Sequence, residues 1–159
     1  MSVKIRRAHQ DDIEGIVSVG RQTWPTTYEF AGAEYVADGL ATWWSADAIK
    51  RSLEATTVLV ADSGNAIVGT GNIDLRPETA VIWKLYVVPD AQGAGVGSAL
   101  LTELVGVAGG RPVQIEYTDG NARAARFYAA HGFVEVRREP NDQPSWPDAV
   151  WLELLSAEH

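Results

Sequence analysis

The chain contains no cysteine and only one methionine among its 159 residues. Without cysteine there are no disulfides, no thiolate metal sites and no cysteine nucleophile. The three histidines, His9, His131 and His159, are too far apart in sequence to show a metal-ligand spacing, so no metal is expected. No apolar run approaches the roughly 18 residues of a membrane span. The start, Met1 to Arg7, is basic but lacks the apolar stretch of an export signal, so the expected location is the cytoplasm, with no membrane partner. Cations are scarce as well: 13 Lys and Arg face 21 Asp and Glu, for a net charge of −8. Nucleic-acid binding needs clustered cations, and none is expected. Arg123, Arg126, Arg137 and Arg138 form the only basic enrichment and read as a solvated helix edge. The acidity suits cationic ligands through long-range steering, and serves solubility equally well.

What is present is a 46% hydrophobic chain of a length that suits one domain, expected to run 1–159. Val3 to Arg6 reads as a short edge strand. Asp11 and Asp12 precede Ile13, Ile16, Val17 and Gly20 at helical spacing, in a helix expected to stop near Trp24 because Pro25 follows. The aromatic stretch Thr26 to Trp44 is read as a loop with a short helix over Ala33 to Leu40, and Ser45 as the cap of the next helix. From Thr57 the period changes to two. Thr57 to Ala61 and Ala66 to Leu75 read as strands joined at Asp62-Ser63-Gly64-Asn65, with a third run over Thr79 to Val88. Strict alternation in that third run puts Val81, Trp83, Leu85 and Val87 on one face and Ile82, Lys84, Tyr86 and Val88 on the other. Lys84 is then expected to lay its stem along Tyr86 and reach solvent with its ammonium. A helix over Gly95 to Ala108, a strand over Val113 to Thr118, a helix over Asn121 to Ala130, and strands over Phe133 to Arg138 and Ala149 to Leu154 complete the chain. The order predicts an α/β (α+β) fold: a mostly antiparallel mixed sheet of about seven strands with helices on both faces.

The densest chemical signal is Leu85 to Leu101, where Gly93, Gly95 and Gly97 separate a strand from a helix. Glycines admit close backbone approach, and a helix N-terminus offers unpaired donors and a positive dipole end, which together suit a phosphate. No Lys-Ser or Lys-Thr follows, which excludes the P-loop. Ser98 stands where the dinucleotide fingerprint needs its third glycine.

The wider pattern, Leu-x-Val-x-Pro, then Gln92-x-x-Gly95-x-Gly97, then Ala-Leu-Leu, resembles the acyl-CoA motif of the GNAT superfamily of N-acetyltransferases. A second segment, Asn121-x-x-Ala-x-x-Phe127-Tyr128 followed by His131-Gly132-Phe133, is similar to that family's last strand–helix unit. The resemblance is strong over Leu85 to Val134, partial over Val3 to Trp24, and poor in the aromatic segment.

The resemblance implies a sheet of the GNAT type and acetyl-CoA as co-substrate, with direct transfer to a primary amine. The acceptor would be a small molecule or, alternatively, a peptide or protein N-terminus; a CoA-binding regulatory module without catalysis is a further alternative, and homodimer formation stays open. It places pantetheine along Leu85, Tyr86 and Val87, the oxyanion at the Val87 N–H, and the pyrophosphate over Gln92, Gly93, Ala94, Gly95, Val96, Gly97 and Ser98. Gly93 and Ala94 depart from the Arg or Lys that many relatives carry, which implies a weaker charged clamp. Asn121 would cap its helix or bond pantetheine. Tyr128 would protonate the departing thiolate, or serve as an aromatic beside Phe127. Glu116 matches a general base of N-terminal alanine acetyltransferases, or is a surface glutamate. Trp24, Tyr28, Trp44 and Trp83 would line an acceptor pocket or fill the core.

Overall fold

The computed structural model describes residues 2–155; His159 lies outside them. Seven strands form one sheet in the order β1-β2-β3-β4-β5-β7-β6: β1 (Lys4–Arg7), β2 (Thr57–Asp62), β3 (Ile67–Asp74), β4 (Ala80–Val87), β5 (Val113–Thr118), β6 (Val134–Glu139) and β7 (Ala149–Leu154). Every neighbouring pair is antiparallel except β4 and β5. β1 is an edge strand as expected, and β6 is the other edge, carrying Glu135, Arg137, Arg138 and Glu139. Such charges blunt an edge against pairing with another chain.

The helices are α1 (Ile13–Thr27), α2 (Ala33–Trp43), α3 (Ala46–Ala55), α4 (Val96–Val107) and α5 (Ala122–Ala130). On one face of the sheet, Leu100, Leu101 and Leu104 of α4 pack with Leu59, Ala61, Ile73, Ile82 and Ile115, and Tyr128 of α5 joins them. On the other, Ile16, Val17 and Trp24 of α1 and Ile49 of α3 pack with Val58 and Val60. None of the described helices is long and apolar enough to cross a membrane.

Three expectations need correction. Helix α1 runs through Pro25 to Thr27 instead of stopping at Trp24. The proline removes one amide donor, yet Tyr28 N still donates to Trp24 O at 2.9 Å. Trp24 is held in place by packing: it is buried, stacks on Tyr35 at 5.9 Å and sits over Gly39, where a Cβ would come within 2.0 Å of its ring. Burial of an indole outweighs the local bias against helix before proline. Helix α2 likewise extends to Trp43, past the expected Leu40.

The third correction concerns β4. Asn72 faces Lys84 but Ile73 faces Ile82, so Trp83 is the extra residue of a bulge. The bulge breaks strict alternation. Ile82 shares the α4 face with Leu85, and Lys84 and Tyr86 turn toward α1 and the Trp44 region.

Candidate functional site

β4 and β5 are joined over three register pairs, Ala80 with Val113, Val81 with Gln114 and Ile82 with Ile115, and no pairing follows. Beyond Ile82 the strands part. Val88 N donates to Val68 O at 2.9 Å, so the even-numbered amides of this stretch point at β3. In an antiparallel ladder the N–H and C=O of one residue point to the same side. The N–H groups of Leu85 and Val87 therefore point into the gap that β5 leaves. A cavity of about 390 Å³ occupies it, lined by Leu85, Tyr86 and Val87 from β4, Ile115, Glu116 and Tyr117 from β5, and Asn121, Ala124 and Tyr128 along α5.

At its far end Gln92, Gly93, Gly95, Gly97 and Ser98 form the floor. Gly95 caps α4 with φ +83°, and a Cβ on it would meet nothing within 4 Å, as would one on Gly93. The left-handed turn thus leaves open space over the helix N-terminus, a place for an anion. Gln92 Nε2 donates to Val87 O at 2.9 Å, and Arg123 Nη1 donates to Gln92 Oε1, so a cation from α5 reaches across the groove. Ser98 Oγ lies 3.0 Å from His131 Nε2. Ala94 does not line the cavity, and the Val96 side chain is buried in the core, leaving only its backbone for a ligand.

Asn121 caps α5, its Oδ1 accepting from Ala124 N at 3.1 Å. Tyr128, two turns further along, is buried; its hydroxyl makes no hydrogen bond among the described residues and its side chain lines the cavity. Burial, and secondarily Tyr28, raises its pKa above the ordinary phenol value. The phenol therefore stays protonated at neutral pH. Glu116 projects to the sheet face opposite Ile115. It is exposed, but the surface it exposes opens onto this cavity and two others. Its carboxyl is pushed up by desolvation, then by Glu139, and lowered in part by Arg137. Among the described residues it accepts no hydrogen bond, which leaves it free to take a proton.

On the α1–α3 side lies a larger cavity, about 750 Å³, walled by Trp24, Tyr28, Tyr35, Trp43, Trp44, Trp83 and Tyr86. Tyr28 and Tyr86 share a hydrogen bond of 2.8 Å between hydroxyls, and Tyr35 hydrogen-bonds Thr118 at 2.8 Å, tying α2 to the end of β5 beside Glu116. Desolvation pushes the Tyr28 phenol up to about 12. A third cavity, about 520 Å³, runs under the β6–β7 loop and carries Asp38, Glu116, Glu139, Asp142 and Asp148.

All four aromatics singled out from the sequence lie on these walls: Trp24 on the second and third cavities, Tyr28 and Trp83 on the first and second, Trp44 on the second. Three of the four, Trp24, Tyr28 and Trp44, are also buried in the core, so the two roles coincide. Sequence reasoning missed Arg123 as a groove residue, treating it as a helix edge. It missed the Ser98–His131 contact, for which the only signal was His131 four residues after Phe127 on one helix face. It also sent the Lys84 ammonium to solvent. Instead the side chain is half-buried, with Nζ 5.2 Å from the centre of the Trp44 ring.

Solved structures share this architecture. The PaiA N-acetyltransferase of Thermoplasma acidophilum, in complex with coenzyme A, superposes with a TM-score of 0.82 at 21% identity, over 96% of this chain and 98% of that one. The ribosomal-protein-S18-alanine N-acetyltransferase of Escherichia coli gives 0.78 at 18% identity, over 99% and 96%. The yncA protein of Salmonella typhimurium, with its cofactor acetyl-CoA, gives 0.68 at 21%, over 100% and 96%. At these identities the likeness is one of fold. No curated protein matches the chain significantly. The sequence profile of the acetyltransferase (GNAT) domain, however, matches residues 54–135, just over half of the chain, from the end of α3 to the start of β6, including the glycine-rich turn and the β4–β5 gap. The chain belongs to the GNAT family of acetyltransferases.

Proposed function

We propose that the protein transfers the acetyl group of acetyl-CoA to a primary amine of a small molecule, by direct attack within a ternary complex. The observation that carries this reading is the gap beyond Ile82, where the Val87 N–H has no strand partner and Glu116 and Tyr128 occupy the walls. Acetyl-CoA supplies the acyl carbon and a thiolate leaving group. The open space over Gly93 and Gly95, the N-terminus of α4 and the Arg123 guanidinium fit its pyrophosphate. The absence of Lys or Arg at Gly93 and Ala94 is thereby offset in part.

The chemistry follows from the positions. Glu116 takes a proton from the ammonium, directly or through water, and the free amine attacks the thioester carbonyl. The Val87 N–H donates to the developing oxyanion; one such donor is typically worth about 10²- to 10³-fold. As the carbon–sulfur bond breaks, the Tyr128 hydroxyl protonates the sulfur. No covalent acyl-enzyme is needed, and a chain without cysteine provides none on sulfur.

The acid-walled third cavity supports a second reading, in which the amine is the N-terminus of a peptide. Thiol release from acetyl-CoA, measured across amines, amino acids and peptides, separates the readings. Turnover on small amines supports the first, and turnover on peptides alone supports the second. CoA binding without turnover on any of them makes the protein a regulatory module.

A further inference from the structure

Lys84 is a half-buried cation without a charged partner among the described residues. It lies in the interior of a seven-stranded sheet, and the bulge at Trp83 turns it to the α1–α3 side. There it borders the 750 Å³ cavity and makes no ion pair and no hydrogen bond among the described residues. Its ammonium lies over the face of Trp44, and Asn72 faces it across the β3–β4 pair. A desolvated ammonium is costly unless an anion completes it, and a cation–π contact offsets only part of that. Burial lowers its pKa to about 8, so it remains an ammonium at neutral pH.

The walls around it hold both unpartnered donors and unpartnered acceptors, Asn72 Oδ1 and the Glu116 carboxylate among the latter. The indole N–H groups of Trp24 and Trp44, on the same walls, have no acceptor among the described residues. Arg76 is already held by Asp74, with Nη2 2.8 Å from the carboxylate, and Arg51 of the same lining is exposed, which leaves Lys84 as the half-buried cation without an ion pair among the described residues. The cavity falls in the size range of small-molecule sites, and its middle is aromatic. It shares Tyr28, Trp83, Tyr86, Glu116 and Tyr117 with the groove between β4 and β5. Lys84 and Glu116 stand on the same face of the sheet, each just beyond the last paired residues, Ile82 and Ile115. Neither takes part in an ion pair among the described residues. An acceptor with its amine at Glu116 would therefore have its other end in the aromatic chamber.

We propose that Lys84 is the anion anchor of the acceptor site, and that the acceptor is an amine bearing a carboxylate on an apolar or aromatic body, in the manner of an amino acid. The proposal rests on the transferase reading above and names its substrate class. A charge-assisted hydrogen bond of this kind gives about a 10- to 100-fold preference for the acid over its amide.

Two readouts test it. In calorimetric titrations of the CoA-loaded protein, 3-phenylpropionate should bind at least about 10-fold more tightly than 3-phenylpropionamide. Lys84→Met should bring the two together, and Lys84→Arg should keep the preference. In turnover, the ratio of kcat/KM for L-phenylalanine over L-phenylalaninamide should fall by the same factor in Lys84→Met. Equal binding of acid and amide by the unaltered protein, binding of neither, or a preference that survives Lys84→Met overturns the proposal. Turnover of amines without a carboxylate preference removes the anchor and leaves the transferase reading intact. A Lys84-dependent preference in binding, with no amine acetylated, removes the transferase reading and keeps the anion site.

Discussion

Ser98 Oγ and His131 Nε2 lie 3.0 Å apart, and His131 Nδ1 lies 2.8 Å from the carbonyl oxygen of Phe127. A carbonyl only accepts, so Nδ1 carries a hydrogen, and in the neutral ring Nε2 accepts from the serine hydroxyl. The pair ties the first turn of α4 to the end of α5 at the floor of the groove. His131→Ala should loosen Ser98 and weaken CoA binding by about 3- to 10-fold, the worth of one neutral hydrogen bond. Titration calorimetry with CoA measures it; unchanged affinity would make the contact a link between helices only.

Tyr128→Phe keeps the ring and its packing but removes the proton. CoA affinity and thermal stability should change little, and turnover with acetyl-CoA should fall by about 10²- to 10⁴-fold. A thioester with a much more acidic leaving thiol should restore most of the rate. Equal losses with both donors would remove the acid role.

The Glu116 carboxyl sits above its usual range, so it becomes an effective base only as pH rises past that raised value. In Glu116→Gln the proton must leave without it. The rate should fall at neutral pH, and the profile should move to higher pH, where more of the acceptor amine is already neutral. An unaltered profile of kcat/KM against pH would assign Glu116 to the cavity wall alone. The same variant should be no less stable at neutral pH, because a carboxylate with a raised pKa opposes folding when ionised.

Asp74 is buried and held by Arg76 and the Trp83 indole, and the Arg76 hydrogen bonds bring its pKa down to about 2. A depressed carboxylate stabilises the fold above its unfolded pKa, and that stability is lost as pH falls through the folded value. Asp74→Asn should therefore cost about 1–3 kcal/mol at pH 7 by denaturant unfolding, with the difference from the unaltered protein shrinking below about pH 4 and closing near pH 2. A constant difference across that range would assign the loss to packing.

The element order and the glycine-rich turn before α4 were legible because both are written locally: alternation, caps, and glycines between a strand and a helix. The Ser45 cap of α3 and the Asn121 cap of α5 are as the sequence implied. What escaped depends on partners distant in sequence. The bulge at Trp83 is a mismatch between two strands, and neither strand alone shows it. Helix α1 passes Pro25 because Trp24 is seated on Gly39, and local bias could not register that. The chamber around Lys84 is closed by α2, α3 and the aromatic residues between Trp24 and Trp44, whose meeting with β4 depends on tertiary packing.

The parting of β4 from β5 also sets a rhythm of solvent exchange within one strand. The amides of Tyr86 and Val88 are directed at β3, and those of Leu85 and Val87 at the gap. In deuterated water, consecutive residues of a central strand should thus alternate between slow and fast exchange, although strands in such positions are ordinarily protected throughout. Saturation with CoA should slow Leu85 and Val87 selectively, converting the alternating pattern into a uniform one.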